Sequence, residues 1–231
     1  QQTIGLLAGR RWESTATYYR ELNAGIKAKL GGLHSAKICL VSVDFAEIQR
    51  LQHIEDWDGT AAILSEAAAA IEKGGADFLL ICTNTMHKVA PQIEANISIP
   101  ILHIADATAQ RLREANIKKV GLLGTRFTME QDFYKGRLVE KYGIDVIVPE
   151  ELEREDIHAV IYNELCLGTI NENSRQRYLK IIEQLAANGA EAVILGCTEI
   201  ALLVQQNHTA TPLYDTTAIH SEQAVRQALL R

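Results

Sequence analysis

Cysteine is scarce in this chain: four in 231 residues, at positions 39, 82, 166 and 197. None form a C-x-x-C pair, and none sit near a histidine at zinc-finger spacing, so no metal site is expected from them. Proline is as scarce, with four residues. No Pro- or Ser-rich linker divides the chain, so any domain boundary is crossed by short connections. Basic residues are not in excess. Lys and Arg total 23 against 29 Asp and Glu, and the net charge of −6 argues against a nucleic-acid partner. No apolar run approaches the ~20 residues that cross a bilayer, so no membrane partner is expected. The opening stretch QQTIGLLAGR has no basic segment followed by an apolar one. A secretion signal is therefore not expected, and the thiols read as reduced, in a cytoplasmic protein.

What is present is ordinary for a globular protein: 47% hydrophobic and 23% charged residues, enough chain for one large or two small domains. Short apolar runs alternate with longer amphipathic ones. The runs lie at 3–8, 37–43, 77–82, 100–105, 119–124, 145–149, 191–196 and 212–215. Most are rich in Ile, Val and Leu with little alternation, the pattern of strands buried on both faces. Helices are expected over 14–30, 58–73, 86–95, 106–115, 129–142, 155–166, 172–188 and 217–230. Gly74, Gly75, Gly143 and Gly189 stand where helices stop. The order predicts an α/β protein with parallel sheets covered by helices.

The chain also repeats itself. IGLLAG (4–9) matches VGLLGT (120–125), GADFLLICTNT (75–85) matches GAEAVILGCTE (189–199), and PILHIADATA (100–109) echoes PLYDTTAIHS (212–221). The offsets are 116, 114 and 112 residues, in order along the chain. Two homologous halves of roughly 115 residues are expected. Boundaries are placed to give a first half of 1–98 plus 210–231 and a second of 99–209.

The ungapped match sets Thr83 against Cys197, and leaves Cys82 one position out of register, against Gly196. Strand neighbours point to opposite faces, so Thr83 and Cys197 are expected on equivalent faces, with Cys82 turned toward the covering helices. These residues end strands and precede helices, where ligands of parallel sheets bind and where helix N-termini favour anions and thiolates. Asn84, Thr85, Thr198 and Glu199 add short polar groups, and Thr125 and Thr128 form a third such turn. The competing readings are plain. Cys39 and Cys166 read as core residues, and Cys82 fits a core position as well as a reactive one. Thr83 or Thr85 alone fits a helix cap. His87, His103 and His220 read as hydrogen-bonded polar residues rather than metal ligands. IGLLAG lacks the spacing of a dinucleotide fingerprint.

Taken together, TIGLLAG, WEST, VSVDF, CTNTMHKVA, LHIADAT, LLGTRFTMEQDFY, ELCLG and GCTEI resemble the aspartate/glutamate racemase family, nearest to its bacterial broad-specificity amino-acid racemases. The resemblance covers nearly the whole chain. It implies two α/β domains related by pseudo-two-fold symmetry, an active site in the cleft between them, a homodimer, a small amino-acid substrate, and no cofactor and no metal. It implies two cysteines on opposite sides of the substrate α-carbon. Cys197 is then one acid/base.

Two departures stand out. The family's first catalytic position usually reads Cys-Asn-Thr; here Thr83 precedes Asn84 and Thr85, with Cys82 as the alternative second acid/base. A hydroxyl is a far poorer base than a thiol of pKa ~8.5, so the two enantiomers are expected to turn over unequally. The turn AGRRWEST also replaces the usual Gly-Gly-Met-Ser-like turn. Arg10 or Arg11 can hold a substrate carboxylate there, or lie exposed. Gln52 is a neutral candidate contact that suits relaxed specificity. The alternatives are a non-catalytic two-lobed binder of a small carboxylate, or a sister reaction such as hydantoin racemisation or maleate isomerisation.

Overall fold

A computed structural model describes residues 1–230. The chain divides into two compact units, Gln1–Ile104 together with His220 onward, and Ala105–Ile219. These divisions fall several residues later than the expected 98/99 and 209/210. Backbone hydrogen bonds explain the shift. The Leu79 N–H donates to Pro100 O at 2.9 Å, which ties residue 100 to the first sheet, and Leu213 pairs with Val193 in the second.

In the first unit the order is β1 (Ile4–Ala8), α1 (Trp12–Leu30), β2 (Ile38–Ser42), α2 (Phe45–His53), α3 (Trp57–Lys73), β3 (Phe78–Ile81), a 3-10 turn at Thr85–Val89, and α4 (Ala90–Glu94). The sheet is parallel, in the order β2-β1-β3. β1 and β3 are wholly buried, as their unbroken apolar runs require. Side-chain parity splits them between two layers. Leu7, Leu79 and Ile81 pack with Leu64 and Ile71 of α3. Ile4, Leu6, Phe78, Leu80 and Cys82 pack with Tyr18, Leu22 and Ile26 of α1 and with Ala224 and Val225.

The second unit holds α5 (Ile104–Glu114), β4 (Lys119–Leu123), α6 (Arg126–Glu130), α7 (Asp132–Tyr142), β5 (Asp145–Ile147), α8 (Glu151–Asn163), α9 (Glu172–Ala187), β6 (Ala192–Leu195), α10 (Ile200–Leu203), β7 (Leu213–Asp215) and α11 (Thr216–Ala228). Helices α5 and α11 run across the unit divisions. The sheet order is β5-β4-β6-β7, again parallel. Its main core joins Leu123, Val193, Leu195 and Cys197 to Ile157 and Ile161 of α8 and to Tyr178, Ile181 and Leu185 of α9.

Compared strand by strand, the units repeat one plan. Ile4 pairs Phe78 where Val120 pairs Ala192, and an isolated parallel bridge Leu79–Ile101 stands where Val193 pairs Leu213. The Asp77 carboxylate accepts the Thr3 N–H at 2.7 Å; the Glu191 carboxylate accepts the Lys119 N–H at 3.0 Å. Each of these pairs is offset by the spacing read from the sequence.

Several expected elements differ. Residues 100–105 form a single bridge and then enter a helix, because α5 starts at Ile104. The expected helix 86–95 is a 3-10 turn followed by α4. Pro91 has no N–H, so the α-helical bond to His87 O cannot form there. The 129–142 stretch is two helices broken at Gln131, whose φ and ψ are −95° and 156°. Helix α2 had no counterpart in the expectations; the Asp44 side chain caps it by accepting the Ala46 N–H. Among the described residues, no helix is long and apolar enough to cross a membrane.

Candidate active site

The strand ends determine where the polar residues stand. In the first unit the Cys82 N–H donates to Leu7 O at 3.0 Å; in the second the Gly196 N–H donates to Leu123 O at 2.6 Å. Cys82 and Gly196 are thus equivalent, and the next residues, Thr83 and Cys197, stand in equivalent places. Gly196 is required by close approach: a Cβ there would lie 2.6 Å from the Leu123 carbonyl oxygen. The ends of β4 and β6 therefore touch through backbone, which holds Cys197 beside the turn that follows β4.

Thr83, Asn84 and Thr85 are all buried at the end of β3. Arg10, two residues past the end of central strand β1, is 8% exposed, so the reading of it as a surface side chain does not hold. The preceding Gly9 approaches the turn after β3, since a Cβ there would lie 3.5 Å from Met86. The next helix, α1, begins with no side-chain cap. Its first amide N–H groups stand at the strand end, with the acidic Glu13 in the same turn. Arg11 is engaged with Glu13 at 2.6 Å. Gln52 is buried in the last turn of α2, a separate element.

Cys82 belongs to the apolar cluster of Leu6, Tyr18 and Leu80. Burial pushes its thiol far above the ordinary range, and its Sγ lies 3.9 Å from the Leu80 carbonyl oxygen. A thiol that resists ionisation in an apolar layer is a poor base, so Cys82 does not join the polar group at residues 83–85.

In the second unit Cys197 is 1% exposed, and its Sγ–H donates to Glu199 Oε2 at 2.9 Å. Thr198 and Thr217 share a hydroxyl hydrogen bond of 2.9 Å. Thr125 caps α6 by accepting the Thr128 N–H, and its hydroxyl lies 3.3 Å from that of Thr128. Burial, and next the charge of Cys197, push the Tyr178 phenol up; its hydroxyl donates to Ile157 O at 2.8 Å. The expected strong helix dipoles are reduced. A 3-10 turn of five residues follows Thr83 and a helix of four residues follows Cys197, too short to sum to a full macrodipole. Among the described residues, no group of three or more His, Cys, Asp or Glu side chains could hold a metal ion.

The first unit also contains a buried histidine network. The Tyr18 hydroxyl meets His220 Nδ1 at 2.7 Å, and His220 Nε2 meets Leu102 O at 2.7 Å. A carbonyl only accepts, so Nε2 carries the proton and Nδ1 accepts from Tyr18. Desolvation lowers His220 from 6.5 to about 4. Its folded pKa is depressed, so the unfolded chain binds the proton first. The stability contributed is complete above about pH 6.5 and lost as pH falls toward 4, by roughly 3 kcal/mol at the foot of that window. Denaturant titrations from neutral pH down to this foot should show stability falling with proton uptake on unfolding. A His220→Gln chain should take up about one proton fewer. Identical slopes would contradict a buried neutral imidazole.

Sequence reasoning missed Thr217 and the burial of Arg10. Thr217 carried no signal, because its link to Thr198 spans 19 residues. The Arg10 side chain follows a strand end by two residues, and that spacing alone did not separate a buried guanidinium from an exposed one.

A profile of Asp/Glu/Hydantoin racemases matches residues 7–224. A provisionally named Asp/Glu racemase from Yersinia pestis is 53% identical, with full coverage of both chains and a TM-score of 0.94. An aspartate racemase homologue from Pyrococcus horikoshii is 32% identical over 99% of each chain, with a TM-score of 0.84. The broad-specificity amino-acid racemase RacX of Bacillus subtilis is 24% identical, over 74% of this chain and 73% of its own. With the paired parallel sheets and the repeated strand ends, these matches establish that the chain belongs to the Asp/Glu/Hydantoin racemase family.

Proposed function

We propose that the chain is a cofactor-independent amino-acid racemase that inverts the α-carbon by proton exchange, acting on aspartate, glutamate or a wider set. Inversion requires a base on one face of the α-carbon and an acid on the other. Cys197 supplies one of these groups and Thr83 the other. The observation that carries the reading is their equivalence: the same strand-end position, in the same hydrogen-bond register, occurs once in each unit.

The Cys197–Glu199 pair accounts for the proton. Two negative charges at 2.9 Å in a dry site oppose each other, so one proton is shared between thiol and carboxylate. When the thiolate takes the substrate α-proton, the C–H electron pair moves into the carboxylate-conjugated carbanion. The opposite acid then delivers a proton to the other face, and solvent restores both groups. Charge developing on the substrate carboxylate needs donors: Arg10, Asn84, Thr85, Thr125, Thr128 and Thr198 are assigned that role, with Gln52 as a side-chain contact. Glu199 is assigned to the thiol rather than to an anionic substrate, which it would repel.

The test is incubation of single amino-acid enantiomers in deuterated water without added cofactor, followed by chiral analysis and mass spectrometry. Label should enter the α-position with inversion. A second reading, a non-catalytic binder of a small carboxylate, is favoured by the hydroxyl at position 83 and by buried Arg10. It predicts ligand-dependent thermal stabilisation with no α-exchange from any amino acid. Hydantoins and maleate belong in the same panel, because fold alone does not choose among sister reactions.

A further inference from the structure

His87 lies in the 3-10 turn just past Thr83 and is 1% exposed. Its Nδ1 stands 2.7 Å from the Thr83 carbonyl oxygen, and the Ile104 N–H points at its Nε2 from 3.2 Å. An amide N–H can only donate, so Nε2 must present its lone pair. The single ring proton is then on Nδ1 and is donated to Thr83 O. The ring is packed 4.4 Å from the His103 ring and 6.0 Å from that of His220, centre to centre. On the far side, His220 Nε2–H holds Leu102 O. Residues 102–104 are thus gripped by two imidazoles of defined tautomer, and one of them extends to Thr83.

From this geometry we infer that His87 is a positioning residue for the proton-transfer step at Thr83. Its Nδ1–H fixes the Thr83 main chain against residues 102–104 and so sets where the Thr83 hydroxyl stands. The inference rests on the racemase reading above. The neutral state needed for this bond is favoured by the surroundings. Desolvation, then repulsion from His103 and His220, lowers His87 well below the usual imidazole range. A protonated ring would place a second N–H against the Ile104 N–H and lose that bond. Thr83 is followed by a 3-10 turn rather than directly by an α-helix, and the imidazole adds a restraint on its main chain.

The consequence concerns one half of the reaction only. For the enantiomer whose α-hydrogen faces Cys197, label can enter by return from Cys197 with retention, or by delivery from Thr83 with inversion. Loosening Thr83 should slow inversion and leave return exchange. His87→Gln places its amide near the Nε2 position and loses the donor to Thr83. His87→Asn places its amide near Nδ1 and keeps it. The expected result is a fall in the ratio of inversion to retained exchange, on the order of tenfold or more in His87→Gln, with recovery in His87→Asn. A merely structural role would lower both outcomes together and leave the ratio unchanged, and that result would overturn the inference.

Nitrogen-15 NMR of the wild-type imidazoles supplies a measurement that needs no variant to fold. A neutral Nδ1–H tautomer at His87 is expected, and an Nε2–H tautomer would overturn the clamp. Absence of label in every substrate would defeat the racemase reading alone, and the ring spectrum would still decide whether His87 holds Thr83.

Discussion

Replacing Cys197 by alanine should reduce α-deuterium incorporation from the faster enantiomer by ~10²–10⁴-fold, the usual contribution of a positioned acid or base. The effect should be the largest of any single substitution, because among the described residues Cys197 is the strand-end thiol that contacts an acid–base partner, Glu199. Cys82 cannot substitute for it. That thiol lies in the apolar layer under α1, where burial suppresses ionisation. Cys197 is itself packed against Val193 and Leu195, so the substitution leaves a small void, and circular dichroism should accompany the assay to show that the fold persists. Exchange that survives in a folded Cys197→Ala chain would remove Cys197 from the mechanism.

Replacing Thr83 by cysteine should act in the opposite direction. In the proposed mechanism the slow enantiomer is the one whose α-proton must leave toward Thr83, and an alcohol is a very weak base at neutral pH. A thiol of ordinary pKa ~8.5 presents a few per cent thiolate at pH 7. Exchange of the slow enantiomer's α-proton should therefore rise, on the order of 10²-fold, while return exchange of the fast one changes little; inversion, whose equilibrium constant is one, should rise by the same factor in kcat/KM from both enantiomers. The substitution suits the site sterically, since the equivalent position already carries cysteine in the same register. Initial rates of α-deuterium incorporation from each pure enantiomer, read by mass spectrometry beside chiral chromatography, give the comparison directly. If the slow enantiomer stays slow in a folded, otherwise active variant, then position 83 does not handle the proton.

Much of the fold was legible because buried parallel strands write themselves as unbroken apolar runs. All seven strands coincide with such runs, and the repeat spacing agrees with the register of β1 with β3 and of β4 with β6. The run at 100–105 misled for a local reason. Its apolar residues serve one bridge at Ile101 and then the first turn of α5, and periodicity cannot separate the two within six residues. Helix α2 was missed because its nine residues begin three positions after the end of β2 and are announced by the Asp44 cap.

The site was legible in part. Matching the repeats brought Thr83 level with Cys197 and placed Cys82 on the other face, and the parity of Leu80 and Cys82 against Leu79 and Ile81 gives the same division. The partners of these residues were not legible. Nothing in the spacing of Arg10 said that the guanidinium would be buried beside an uncapped helix start. Nothing in LHIADAT said that its backbone would orient two imidazoles.

The sequence by itself determined the α/β class, the duplication and the equivalence of positions 83 and 197, because these follow from the period of apolar residues and from internal similarity. Only tertiary structure decided which neutral tautomer His87 and His220 adopt, and that apolar neighbours suppress ionisation of the Cys82 thiol. Those depend on hydrogen-bond partners and desolvation contributed by residues distant in sequence, such as Leu102 for His220, 118 positions away.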